Sequence, residues 1–207
     1  MIKAIIFDCF GVLTTEGFKV FCNKYFKNAP VKRAEAQDLM DRSSLGLMPF
    51  GRFEQELSIL GGTSVETVRD YLSDNKPNEP LFKFMREELK PKYKIGMLSN
   101  ASANWLPELF LAEDIKLFDD IILSYEVGMA KPNPDLYELA ARRLKIKPQE
   151  SILVDDVDRY CQGAQAAGMQ AVLYQDFDQM KTELQKLLNQ SAWVRYKEKT
   201  SNGLRCI

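Results

Sequence analysis

The chain has 207 residues, a formal net charge of -1 from 28 basic and 29 acidic residues, and no histidine. That length allows one core of ordinary size, or a core with a small appended domain. The balanced charge and the lack of a basic run argue against a nucleic-acid partner, and the missing imidazole removes histidine as base, triad member or metal ligand.

No apolar stretch approaches the roughly 20 residues of a membrane span, and Met1-Ile2-Lys3 leads straight into a strand pattern. The expectation is a cytoplasmic protein with no membrane attachment. Cys9, Cys22, Cys161 and Cys206 form no C-x-x-C pair, so they read as reduced, mostly buried thiols and not as a zinc site or disulfide framework.

From the start of the chain, Ala4 to Phe7 is continuously apolar and ends on Asp8. Such a run suits a strand covered on both faces, as in a parallel sheet. A carboxylate closing it stands at the sheet's carboxyl edge, where open α/β sheets bind ligands. From Thr14 to about Asn75 the pattern turns helical. Phe18, Phe21, Cys22, Tyr25 and Phe26 fall on one helical stripe, and a more polar helix is expected over about Val31 to Leu45. Phe50, Phe53, Leu57 and Leu60 make a third helix ended by Gly61-Gly62, and Thr63 or Ser64 caps a fourth carrying Val65, Val68, Tyr71 and Leu72. Short helices inserted directly after the first strand suggest a helical cap over the mouth where Asp8 lies.

Asn75-Lys76-Pro77-Asn78-Glu79-Pro80 interrupts any helix and reads as the return linker. Beyond it the expected elements alternate: helix Glu79 to Lys90, strand Lys94 to Ser99, helix Asn104 to Ala112, strand Asp120 to Ser124, helix Asn133 to Leu144. Strand Ser151 to Asp155, helix Arg159 to Gly168, strand Met169 to Tyr174 and helix Asp178 to Asn189 follow. This is the pattern of an α/β fold, a doubly wound, Rossmann-like parallel sheet of five strands. The order 3-2-1-4-5 would set the first and fourth strands side by side and bring Asp8 next to Asp155 and Asp156. The domains expected are a core of residues 1–14 and 77–190, a cap of 15–76 and a C-terminal tail of 191–207 with no legible role. Ser99-Asn100, Lys131-Pro132 and Asp155-Asp156 would all face the crevice at Asp8.

With those residues in order, the chain resembles the haloacid dehalogenase-like (HAD) hydrolase superfamily, in the form with a small helical cap after the first motif. Phe7-Asp8-Cys9-Phe10-Gly11-Val12-Leu13 is similar to its first motif, Leu98-Ser99-Asn100 to the second and Val127-Gly128-Met129-Ala130-Lys131-Pro132 to the third. Leu153-Val154-Asp155-Asp156, with Gly163-Ala164 and Ala167-Gly168-Met169, is similar to the fourth. The resemblance implies a phosphatase in which Asp8 attacks phosphorus and forms an aspartyl-phosphate, a step that residue chemistry permits. It implies Mg²⁺ held by the Asp8 carboxylate, the Phe10 carbonyl and Asp156, with Asp155 acting through water. It also implies phosphoryl oxygens bound by Lys131, Ser99 and the Asn100 N–H, with Phe10 and Gly11 among the substrate-binding residues. The partner implied is a small phosphate ester, and the protein would be a monomer or homodimer.

Two departures matter. Most phosphatases of the superfamily carry a second Asp two residues after the nucleophile, as acid for the leaving group and base for water. Here that position is Phe10. Tyr160 also stands where cap-bearing relatives often have Asn. General acid–base help contributes about 10²–10⁴-fold, so slow turnover, or a catalytically silent phosphate- and Mg²⁺-binding protein, is the alternative. An aromatic residue at this position also resembles metal-free 2-haloacid dehalogenases, but the pair Asp155-Asp156 argues for a cation.

Overall fold

The structure, a computed structural model, describes residues 1–203 and the side chains of residues 1–190. Strand β1 (Ala4–Phe7) lies at the centre of a parallel sheet with β2 (Lys94–Ser99), β3 (Asp120–Leu123), β4 (Ser151–Asp155) and β5 (Gln170–Leu173), in the order β3-β2-β1-β4-β5. Register pairs Phe7 with Met97 on one side and with Val154 on the other. The apolar run of β1 is explained by its two faces. Ile5 and Phe7 enter one buried cluster with Ile95, Met97, Ile152 and Val154, while Ala4 and Ile6 enter a second with Leu98 and Leu153. Alternation with a period of two puts apolar side chains on both sides, so no position is left for a polar residue until the strand ends.

Helices cover both faces. Residues of α5 (Glu79–Phe84) and α11 (Phe177–Gly203) pack in the first cluster, and those of α9 (Pro134–Arg143) and α10 (Asp158–Ala166) in the second. Asn78 caps α5 by accepting from Leu81 N–H at 3.3 Å, and Asn133 caps α9 by accepting from Asp135 N–H at 2.9 Å.

Between β1 and α5 the chain makes α1 (Gly17–Tyr25), α2 (Pro30–Ser44), α3 (Phe50–Gly61) and α4 (Val65–Ser73). Their own core gathers Phe18, Phe21, Phe26, Phe53, Leu57 and Val68. Each such side chain fully buried contributes about 1.5–3 kcal/mol. Ser64, one of the two candidates, is the cap of α4 and accepts from Thr67 N–H at 3.1 Å. Gly62 ends α3 in the left-handed region.

The outgoing and returning chains of this insert are clipped together. Thr15 N–H donates to Lys76 O at 3.1 Å, Lys76 N–H to Thr15 Oγ1 at 2.8 Å and Gly17 N–H to Asn75 Oδ1 at 2.9 Å. A Cβ at Gly17 would lie 1.8 Å from the carbonyl oxygen of Tyr71, so only glycine lets the two chains approach this closely.

The helix expected over 104–112 is instead two short pieces, α6 (Leu106–Leu109) and α7 (Ala112–Ile115). Phe110 and Leu111 are extended between them, which turns the Phe110 ring into the core against Phe82 at 5.1 Å. Burial of that ring overrides helix continuation. A further short helix, α8 (Ser124–Val127), follows β3. The expected helix ending at Asn189 runs on within α11, and the side chains of the tail together with residues 204–207 lie outside the described residues. Cys9, Cys22 and Cys161 are buried free thiols.

Candidate active site

The carboxyl ends of β1 and β4 deliver two acids to one point. Asp8 N–H donates to Val154 O at 2.9 Å, continuing the β1–β4 ladder by one residue, and Asp8 Oδ1 accepts from Cys9 N–H at 2.7 Å. Asp155, 0% exposed, accepts from Val157 N–H at 2.9 Å through Oδ1. Between them stands the Lys131 ammonium, 2.8 Å from Asp8 Oδ1 and 2.6 Å from Asp155 Oδ2.

Lys131 comes from the loop between α8 and α9, and the end of β2 holds that loop. Asn100 Oδ1 accepts from Lys131 N–H at 2.8 Å, while Asn100 Nδ2 donates to Lys131 O at 3.1 Å and to the Tyr160 hydroxyl at 3.3 Å. Tyr160 in turn places its ring 5.0 Å from the Lys131 ammonium, with the Arg159 guanidinium 4.9 Å from the same ring. The Asn100 side chain thus has a positioning role that the sequence did not display.

Asp156 completes the acidic group: Asp8, Asp155 and Asp156 each offer a carboxylate oxygen within 4.8 Å of the others. Gly11 makes room for it. The residue has φ +86°, and a Cβ there would lie 2.4 Å from Asp156 Oδ2. Asp156 Oδ2 pairs with the exposed Lys19 of α1 at 3.2 Å. Ser99 Oγ at the end of β2 is buried and has no hydrogen-bond partner among the described residues.

Burial raises the Asp8 carboxyl, Lys131 opposes this, Asp155 adds to it, and the result is pushed up to about 8. Lys131 is also raised: burial alone would lower it, but Asp155 and Asp8 outweigh burial and keep it an ammonium. The pair therefore pulls in two directions at Asp8. Burial prevails there, because one lysine is shared by two buried carboxylates. With three carboxylates and one ammonium, the ionised group would carry -2. An all-oxygen donor set of that charge fits a hard dication such as Mg²⁺, and the orphaned Ser99 hydroxyl fits an anion's oxygen nearby.

A cavity of about 580 Å³ separates this crevice from the helical insert. Phe18, Met40 and Phe50 of the insert face Trp105 and Leu109 across it, and the Phe50 and Trp105 rings meet at 4.7 Å. Glu54 and Arg69, also on its wall, form a two-pronged ion pair at 2.9 and 3.0 Å. Phe10, Asp8, Asn100 and Asp156 line its floor, whereas Ser99 and Lys131 sit buried beneath.

Glu16 lines the same cavity and was not singled out from the sequence. Its signal was available: it is the only acidic residue between Asp8 and Glu35. Burial, then Asp156, push its carboxyl up to about 7 against the lowering effect of Lys19.

Residues 2–168 match the haloacid dehalogenase-like hydrolase family. The bifunctional epoxide hydrolase 2 of Sus scrofa is 32% identical over 217 residues, covering 90% of this chain and 39% of that protein, so the chain spans well under half of it. A glyceraldehyde 3-phosphate phosphatase of Methanothermobacter thermautotrophicus is 31% identical over 84% of this chain and 85% of its own length. Among solved structures, a HAD family enzyme of Bacteroides thetaiotaomicron in complex with magnesium and inorganic phosphate has the same fold. Its TM-score is 0.64 at 24% identity, over 84% of this chain and 95% of that one. The chain belongs to the haloacid dehalogenase-like hydrolase family.

Proposed function

We propose that this hydrolase is a Mg²⁺-dependent phosphomonoesterase of small phosphorylated metabolites, with Asp8 as nucleophile. One observation carries the reading: Asp8 and Asp155 converge on the ammonium of Lys131 at 2.8 and 2.6 Å, with Asp156 beside them, at the switch point of the sheet. The phosphatase relative and the phosphate-bound structural neighbour support it.

Asp8, the Phe10 carbonyl and Asp156 are the ligands proposed for the cation. Both Asp155 oxygens are already engaged, by Lys131 and by Val157 N–H, which favours Asp156 as the direct ligand. When bound, the dication offsets the charge of the carboxylates and of the incoming phosphoryl group. Lys131, the Ser99 hydroxyl and the Asn100 N–H supply further donors to phosphoryl oxygens. Asp8 displaces the leaving group to give an aspartyl-phosphate, and water then releases phosphate. Helices α1–α4, residues 15–76, act as a cap that excludes water and contacts the leaving group, over a core of residues 1–14 and 77–190.

A metabolite phosphate panel with and without Mg²⁺ tests this. Turnover should need Mg²⁺ and vanish in Asp8→Asn; activity that survives the substitution removes Asp8 as nucleophile. Phe10 on the cavity floor favours a second reading, a silent phosphate binder, which requires phosphate binding with no turnover on any ester. The metal-free dehalogenase reading requires halide release from a 2-haloacid in chelator, and the -2 charge of the carboxylate group speaks against it.

A further inference from the structure

Phe10 removes the usual proton donor, yet an alkoxide leaving group needs one. We propose that Glu16 is the general acid and base of this site, an inference that rests on the phosphatase reading. Glu16 stands at the hinge, immediately before α1, on the wall of the cavity that also holds Asp8 and Phe10. Its backbone is fixed on both sides, because Thr15 and Gly17 each donate to the returning linker.

Its carboxylate is not used to cap the helix it precedes. Although Glu16 is the N-cap residue of α1, its carboxylate accepts no capping hydrogen bond, and among the described residues it forms no ion pair. Residues at this position ordinarily satisfy helix N–H groups. A carboxyl held on the cavity wall without that duty is free to face a ligand. The charged groups around it are Asp156 and Asp155, which disfavour its ionised form, and Lys19 and Lys131, which favour it. Burial is the largest influence and leaves the group able to hold a proton near neutral pH.

The chemistry balances with this one residue. An Asp8 oxygen forms a bond to phosphorus as the phosphorus–oxygen bond to the leaving group breaks. The departing oxygen takes the electron pair and the proton of the Glu16 carboxylic acid, leaving as an alcohol. The Glu16 carboxylate next takes a proton from water as the water oxygen bonds to phosphorus. The bond from phosphorus to Asp8 breaks, and the Asp8 carboxylate and inorganic phosphate are restored.

The test is leaving-group dependence. Wild type, Glu16→Gln and Glu16→Asp are compared on p-nitrophenyl phosphate, phenyl phosphate and glycerol phosphate in Mg²⁺, with urea unfolding as a control for folding. The nitrophenolate departs as a stable anion and needs no proton, whereas the alkoxide does. Glu16→Gln should lower kcat/KM about 10²–10⁴-fold on glycerol phosphate but no more than about fivefold on p-nitrophenyl phosphate. Glu16→Asp should recover part of the alkyl phosphate activity, and the neutral-pH limb of the wild-type pH profile should disappear in Glu16→Gln. Losses that are the same on all three esters, or no loss at all, overturn the assignment and leave the phosphatase reading intact. If wild type hydrolyses none of the esters above the Asp8→Asn background, the phosphatase reading itself fails and Glu16 falls with it.

Discussion

Asp8→Asn should stabilise the protein in chelator while abolishing its turnover. The ordinary value for this carboxyl is 3.8, and burial followed by the opposing pull of Lys131 leaves it at about 8. A group raised on folding contributes most below its unfolded value, and the contribution is lost as pH rises through the folded one. Here the window runs from about pH 4 to about pH 8. At pH 7 the folded state must hold a proton that the unfolded chain has released by about three pH units, which costs about 4 kcal/mol at 1.36 kcal/mol per unit. Asp8 shares Lys131 with Asp155, so about 2–4 kcal/mol is the expected gain when an uncharged amide replaces the carboxyl. The amide oxygen of asparagine can still accept from Cys9 N–H and from Lys131.

Urea unfolding in EDTA at pH 5, 6, 7 and 8 measures this directly. The wild type should fall away from Asp8→Asn as pH rises, with the gap levelling near pH 8. Saturating Mg²⁺ should narrow the gap by stabilising the wild type, by about 2.7 kcal/mol at a hundred times Kd. If Asp8→Asn is instead the less stable protein at pH 7 in EDTA, the Asp8–Lys131 pair outweighs burial and the electrostatic reasoning is wrong.

Three further substitutions probe the neighbouring parts. Ser99→Ala removes a buried hydroxyl that has no partner among the described residues, so urea unfolding should show no loss of stability and a gain of up to about 1 kcal/mol. The same variant should lose about 10–100-fold in kcat through the missing phosphoryl donor. Lys131→Met leaves the buried Asp155 carboxylate without its ammonium partner and should lose about 3–5 kcal/mol at pH 7 by urea unfolding in EDTA. Gly17→Ala forces a methyl group against the Tyr71 carbonyl and must open the hinge clip; thermal unfolding should show a destabilisation of about 1–3 kcal/mol.

The strands were legible because β1, β2 and β4 are bounded by a sharp change from apolar to polar residues. Expected and observed limits coincide at Lys94–Ser99 and Ser151–Asp155. The sheet order followed from alternation and handedness, and Asp8, Lys131, Asp155 and Asp156 do meet. The break at Phe110 was not legible, since a periodic apolar stripe is equally compatible with a helix until the core claims one ring. Nor was the contact of Lys19 with Asp156, which spans the insert and the core and has no local sequence signal. Glu16 belonged to neither the strand pattern nor the helix stripe, and so fell between them. Tyr160 registered as an odd substitution, but its hydrogen bond with Asn100 and its place over the Lys131 ammonium required the folded chain.

The clip at Thr15, Gly17, Asn75 and Lys76 also bears on how such a protein can diversify. Because the chain leaves the sheet and comes back at neighbouring points, the insert is joined to the Rossmann-like part by a short, closed stem, and beyond it the two meet through side-chain contacts such as Phe50 with Trp105 and Lys19 with Asp156. A segment of different length or composition grafted onto that stem would remodel the cavity roof while Asp8, Lys131 and the acidic pair stayed in register. Innovation in what is recognised is thereby decoupled from the machinery proposed to hold phosphate. Glu16 sits on the stem itself, and would travel with neither part alone.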